Sequence, residues 1–333
     1  MAIGTVDTMV SIIDHSKADI WVLNEGNEDL IQQLSIIEDV SSEISEIEGV
    51  KKVYKLIYSQ NMMGKEGQKQ AVMIVGITQG MGSWNLISGD INDLKGNTVI
   101  VDESVRIKLG EISTGDTVTI NKELHTVVGI SKNAKSFIYP FVFTSHETAL
   151  QVFQLDEALT HYILVEVYNG YGKNEVAQKI SEIEGITAVV HDTLRKNTAD
   201  YMLFESGMGL GTVTFAVVGL LVAVVVITLT IYTATMEKIP EFGTLKAIGA
   251  SKKDIDKILI EQVLWSVSVG YVCGLLLSVS GMYVVQRLTV MPIKITVLLA
   301  VAAYGLTLTL SLLGSVMSIR KVHKIDPAIV FRG

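Results

Sequence analysis

The chain has 333 residues, 49% of them hydrophobic and 19% charged, with a net charge of −8 and a positive mean hydropathy. The charge is divided: residues 206–333 carry 11 Lys+Arg against 6 Asp+Glu, leaving 16 against 29 in residues 1–205. The acidic front lacks the clustered basic residues that nucleic acid requires, and a single cysteine, Cys273, excludes a disulfide framework or a thiolate metal site.

In chain order, Asp19-Ile-Trp-Val-Leu23 reads as a strand and residues 43–48 as a short helix, with Gly49 suited to its left-handed cap. Residues 50–60 and 70–76 read as paired strands with Gly64 in the turn between them. The hexapeptide Ile44-Ser-Glu-Ile-Glu-Gly49 returns as Ile180-Ser-Glu-Ile-Glu-Gly185. Each copy leads into a strand (50–58 and 186–190) and follows an earlier apolar one (19–23 and 162–167). Two such units at the ends of one domain point to a split βαβ, ferredoxin-like layer; the alternative is chance recurrence of a common helix-ending pattern. Between the copies, residues 97–101, 117–120 and 125–130 are β-rich, with turns at Gly115-Asp116 and Asn121-Lys122, which makes a small β insertion. The six histidines are scattered without metal spacing, no phosphate loop is present, and Asp102-Glu103 or Glu182 with Glu184 read as solvated surface. No catalytic residue, cofactor site or metal site is assigned, and the chain reads as a non-enzyme.

From residue 206 the composition changes. Three uncharged apolar stretches, 206–236, 262–286 and 295–319, each exceed the roughly 20 helical residues that cross a bilayer core. The fold class is therefore an α+β extracytoplasmic domain followed by an α-helical transmembrane domain of three spans, near 208–235, 262–286 and 295–319. The loop 237–261 holds five basic residues, the turn 287–294 two (Arg287, Lys294), and the tail after Ile319 four (Arg320, Lys321, Lys324, Arg332). The positive-inside rule then puts the loop and the C-terminus in the cytoplasm and residues 1–205 outside the cell. An exported front needs a preceding signal or span, yet only six uncharged residues, Met1 to Val6, precede Asp7. A further span is expected ahead of this sequence, the alternative being that 206–236 exports the domain unaided; without it the chain is expected to be inactive.

The second span places Ser266, Gly270, Gly274 and Ser278 at four-residue spacing, one stripe of small side chains suited to helix packing. The spans contain no Asp, Glu, Lys, Arg or His, which argues against an ion pump or proton-coupled transporter. In the loop, Pro240 suits a helix's first turn, Phe242, Leu245 and Ile248 recur at three-residue spacing, and Gly249 can end the helix. Ser251 with Asp254 then reads as the N-cap of the helix entering the second span. A short amphipathic helix at the inner face fits a groove on a cytosolic partner, or else rests on lipid headgroups.

Three stretches resemble FtsX/MacB-type ABC transporter permeases. They are Glu237-Lys-Ile-Pro-Glu-Phe-Gly-Thr-Leu-Lys-Ala-Ile-Gly-Ala-Ser251, the ending Lys324-Ile-Asp-Pro-Ala-Ile-Val-Phe-Arg-Gly333, and the outer-domain residues Asn97–Asp102, Leu109-Gly110, Gly115-Asp116 and Val127–Gly129. The resemblance implies four spans, of which the first is lacking here, with a MacB-like outer domain (1–205) between spans one and two and a permease domain over 206–333. It implies a helical stalk at 193–205 and a coupling loop at 237–261. It also implies ATPase contact through Glu241, Phe242, Gly243, Leu245, Lys246 and Ala250. It implies further that ATP and Mg are bound by a separate cytosolic ATPase and no cofactor by this chain. A second permease chain, as homo- or heterodimer, and a periplasmic adaptor are the other implied partners, besides the membrane. The function implied is export or extrusion of a lipid, peptide or drug-like substrate by work done on the outer domain. The competing readings are an FtsX-like regulator of a cell-wall hydrolase and a membrane receptor without ATPase.

Overall fold

The computed structural model describes residues 10–30, 37–81, 84–136, 138–289 and 295–323. Met1 to Val6, Lys294, Lys324, Arg332 and the family-like ending, on which parts of the sequence reading rest, lie outside them. The chain divides into two compact units, the second comprising residues from Leu210 onward except 285–293.

In the first unit the helices are α1 (Ser11–Asp14), α2 (Ser41–Ser45), α3 (Arg106–Leu109), α4 (His146–Phe153), α5 (Lys173–Ile180) and α6 (His191–Asp200). The strands are β1 (Ile20–Asn24), β2 (Ile37–Glu38), β3 (Val50–Lys65), β4 (Gln68–Ile77), β5 (Leu86–Ser88), β6 (Thr98–Asp102), β7 (Thr117–Ile120), β8 (Glu123–Ser131), β9 (Phe141–Ser145), β10 (Leu159–Thr160), β11 (Tyr162–Val167) and β12 (Ile186–Val190). Ten of them form one sheet in the order β12-β1-β11-β3-β4-β9-β6-β8-β5, with β7 pairing β3 and β8; β2 and β10 pair separately. The pairs β12–β1, β1–β11 and β11–β3 are all antiparallel.

The two hexapeptide copies behave alike. Each leads out of a short helix, but neither glycine caps it: α2 stops at Ser45 and α5 at Ile180 with right-handed Glu46 and Ser181 as C-caps, and Gly49 (φ +99°) and Gly185 (φ +84°) take the left-handed region in the turn before the next strand. Their leading isoleucines, Ile44 and Ile180, are both fully buried and lie in one cluster with Ile20, Val22, Ile163 and Val165. The opposite face of this part of the sheet carries the largest cluster, in which Trp21, Leu56, Phe141, Phe143 and Leu164 are buried with Leu194 of α6.

Further expectations need correction: Asp102, read as solvated surface, is fully buried, its carboxylate accepting from the Ser104 and Ala134 N–H groups. The β3–β4 turn is at Glu66-Gly67, with φ +50° and +84°, and Gly64 lies within β3, opposite Lys69 of β4 and Thr119 of β7. A two-residue hairpin of this kind needs positive φ at both central positions, and Gly67 supplies the second of them without steric cost. The insertion is also larger than three strands. Residues 141–153 form β9 and α4, and β9 runs parallel to β4, so the insertion strands continue the same sheet. Phe141–Ser145 is buried at every position, giving a continuous run instead of the alternation that marks a half-exposed strand. Packing here is close: a Cβ on Gly76 of β4 would lie 2.2 Å from the Ala149 Cβ of α4. Gly76→Val is expected to destabilise this unit by about 1–3 kcal/mol, measured by denaturant unfolding followed by tryptophan fluorescence.

The second unit is helical: α7 (Met208–Glu237), α8 (Ile239–Ala247), α9 (Lys252–Leu288) and α10 (Val297–His323). Between α6 and α7 the chain runs through a π-helical turn, Tyr201–Glu205, and Gly207 at φ +74°. The windows Gly209–Glu237, Lys252–Leu288 and Val297–Val316 are long and apolar enough to cross a membrane.

Candidate functional site

Helix α8 and its junctions form the site that sequence reasoning singled out. Pro240 occupies the first turn, where its missing N–H leaves no helical bond unmade. At the other end Gly249 takes φ +102°, its N–H donates to the Lys246 carbonyl at 3.1 Å, and the Ala250 N–H donates to the Leu245 carbonyl at 2.9 Å. This is the paired closure of a Schellman cap. Ser251 follows directly: its Oγ accepts from the Asp254 N–H at 3.3 Å, while Asp254 Oδ2 accepts the Ser251 N–H at 2.9 Å. The reciprocal bonds are a capping box that starts α9.

The six residues matched to the family's coupling segment do not share one face. Phe242 is 3% exposed and packs with Ile255 and Leu259 of α9, with Leu245 and Ile319 beside them; Gly243 is buried too. Glu241 is exposed, and Leu245, Lys246 and Ala250 are half-buried. The apolar stripe therefore splits: Phe242 and Leu245 turn inward, and Ile248 is 76% exposed.

The spanning helices meet through Ile231, Val263 and Val267, all buried, with Ile227, Leu308 and Leu312 against them. Ser311 and Ser315 of α10 and Thr235 of α7 are buried, and each hydroxyl donates to a carbonyl of its own helix at 2.6–2.7 Å. A Cβ on Gly314 would lie 2.2 Å from Thr228 Oγ1, so α7 and α10 approach closely at this point. Toward the start of α10, Tyr271 of α9 donates its hydroxyl to the Ala300 carbonyl at 2.5 Å, and the Ser268 and Tyr304 hydroxyls are 2.8 Å apart. The stripe Ser266, Gly270, Gly274 and Ser278 is exposed throughout, with nothing within 4 Å of a Cβ built on either glycine. Sequence reading missed Ser311–Gly314–Ser315, although its three- and four-residue spacing was visible. Among the described residues no group of three or more His, Cys, Asp and Glu could hold a metal.

For three histidines and Tyr54 of the first unit, burial is the first cause of a shifted titration. His146 of α4 is pushed down to about 4, first by burial and then by the Lys55 ammonium and His161, against the opposing pull of Asp39. Burial also lowers His125 and His161. The Tyr54 hydroxyl is pushed up to about 12 by burial and by its 2.8 Å hydrogen bond to Glu166.

Three membrane-length apolar helices after a large mixed-sheet domain mark a multi-pass membrane protein, and the match of that domain to a periplasmic core domain makes it extracellular. Residues 2–183 match the MacB-like periplasmic core domain and residues 213–327 the FtsX-like permease C-terminal domain. The chain belongs to the FtsX/MacB-type ABC transporter permease family. A protein named as a hemin transport system permease, HrtB, from Staphylococcus haemolyticus is 25% identical over 249 residues, 73% of this chain and 65% of that relative. The chain thus matches under two thirds of that relative's length. HrtB of Staphylococcus epidermidis strain RP62A is 24% identical over 328 residues, 98% of this chain and 88% of the relative. Among solved structures, the periplasmic region of MacB from Actinobacillus actinomycetemcomitans has 14% identity and a TM-score of 0.43, covering 57% of this chain and 97% of that one. The extracellular domain of the transporter YknZ from Gram-positive bacteria has 14% identity and a TM-score of 0.41, covering 51% and 98%.

Proposed function

We propose that this chain is a permease subunit that turns ATP hydrolysis by a separate cytosolic ATPase into conformational work on its extracytoplasmic domain. The observation that carries the coupling role is α8 itself: an inner side fixed by Phe242 against α9, and an outer side offering Glu241, Thr244 and Ile248. A large apolar side chain 76% exposed at the end of a capped helix suits a hydrophobic groove on a partner. The cytoplasmic placement of α8 and of the C-terminus follows from the basic-residue count. ATP and Mg are bound by the ATPase, and this chain supplies no nucleotide site.

The exposed stripe Ser266, Gly270, Gly274 and Ser278 is the face we assign to a second permease chain or a further span. The strand order β12-β1-β11-β3 supports the split βαβ, ferredoxin-like reading of the outer layer. The residues 193–205, a helix with a π-turn, are assigned the stalk role. The substrate is an apolar or amphipathic molecule handled outside the membrane, with hemin the first candidate from the name of the HrtB relatives and a periplasmic adaptor as a further partner.

The test separates the two faces of α8. Ile248→Asp with Glu241→Lys is expected to weaken co-purification with a co-expressed ABC ATPase that binds the unaltered permease by about tenfold or more. The thermal unfolding of the permease should stay unchanged, since both side chains are exposed. Unaltered co-purification would remove the coupling role from α8.

A further inference from the structure

The first unit holds a cleft of about 850 Å³ that none of the roles above uses. One wall is α4, the second is formed by Lys55 of β3 and the end of β4 with Thr78 and Gln79, and the third is the segment Ile91 to Gly96. The three are tied together: Thr148 Oγ1 of α4 donates to the Gly96 carbonyl at 2.6 Å, and His146 Nε2 lies 3.3 Å from the hydroxyl of Thr160, which donates to the Leu56 carbonyl of β3. The cleft is therefore formed before any ligand arrives, with a volume within the roughly 300–1,000 Å³ usual for ligand sites.

Its chemistry is specific in kind. The buried lining is mainly apolar, with Ile77, Leu94 and Leu150 beside Ser145 and His146. The rim carries three exposed amides, Gln79, Gln151 and Gln154, and each offers both a donor and an acceptor, as a peptide unit does. Charge is balanced: Lys55 and Lys95 face Glu147 and Glu157, and Lys55 is already held by Asp39 at 2.8 Å. A strongly anionic or cationic ligand finds no excess of opposite charge here. Helix α4, eight residues long, spans about 12 Å, the length of three to four extended residues.

We infer that this cleft binds a short, uncharged, apolar peptide in extended form, its backbone amides on the glutamines and its side chains on the Ile77–Leu94–Leu150 floor. The site lies wholly in the first unit, so it stands or falls separately from the coupling role of α8.

The test uses the full chain in lipid nanodiscs and N-acetyl-trileucine amide, titrated by calorimetry. Saturable binding is expected, and Gln151→Trp, an exposed position whose indole would fill the cleft, should weaken it by at least about tenfold with unchanged thermal unfolding. Gln154→Ala and Gln79→Ala should each weaken it less. Fusing the same three leucines to the end of a soluble carrier distinguishes a free peptide from a protein tail: equal affinity means that the cleft reads the segment in either setting, and weaker binding confines it to free peptides. Absence of saturable binding, indifference to Gln151→Trp, or full competition by dodecanoate would overturn the proposal, the last by making this an acyl-chain cleft.

Discussion

Gly314→Leu is expected to disrupt the packing of the spanning helices, whereas Gly270→Leu in the neighbouring helix leaves the single chain unaffected. Both glycines sit mid-helix, and both read as packing residues by size alone. They differ in what surrounds them: the Gly314 Cβ position is 2.2 Å from Thr228 Oγ1 and 3.3 Å from Thr228 Cβ, while nothing lies within 4 Å of that of Gly270. Thr228 is β-branched, so its side chain has few rotamers into which to withdraw. Leucine at 314 must therefore push α7 and α10 apart, at a cost of about 1–3 kcal/mol or more. Thermal unfolding in detergent should show a lowered midpoint for Gly314→Leu, a smaller drop for Gly314→Ala, and partial recovery in Thr228→Ala with Gly314→Ala. The double variant isolates the pair, since residues in contact are non-additive. Equal effects at 314 and 270 would refute this account of the packing.

Acid should weaken the extracellular domain in a defined window. His146 is 7% exposed and is held uncharged down to about pH 4, against an ordinary value of 6.5. Because its folded value is the lower one, the unfolded chain binds more protons between these two pH values, so stability rises with pH there. The contribution is fully present above about pH 6.5, falls as the pH drops toward 4, and changes no further below that. For His146 alone the loss is on the order of 3 kcal/mol. His125 and His161, 1% and 3% exposed, are shifted in the same direction by burial and add to it. Urea unfolding followed by tryptophan fluorescence at pH 7.5, 5.5 and 4.5 should show falling midpoints. His146→Gln should flatten part of the slope, and a pH-independent midpoint over this window would contradict the burial argument.

The sequence carried the helices of the second unit and their joints more fully than the packing between them. Hydropathy over 20 or more residues is a local property, and so are Pro240, Gly249 and the Ser251–Asp254 pair, which act on their own backbone neighbours. The repeated hexapeptide likewise announced two matching helix-to-strand turns, because a left-handed turn position favours glycine whatever the surroundings, although the helices themselves end earlier, at Ser45 and Ile180. Which stripe of small residues meets a helix of the same chain is a tertiary fact. Ser266–Gly270–Gly274–Ser278 has the more regular spacing, yet Ser311–Gly314–Ser315 is the one in contact. Phe242 was misleading for a related reason: a three-residue apolar spacing gives a helix its stripe, but only the position of α9 decides that Phe242 faces inward while Ile248 does not. The β9–α4 segment was missed because five buried positions in succession show no alternation.

The corner at residues 249–251 has a mechanical consequence. The last carbonyls of α8 accept from Gly249 and Ala250, the Asp254 amide of α9 donates to Ser251 directly after them, and Phe242 packs between the two helices. Such a corner has little compliance. Torque applied to α8 is delivered to the base of the long helix α9 as rotation and is not absorbed as slack. Loosening Gly249 or Ser251 would thus uncouple the two helices while leaving each of them formed.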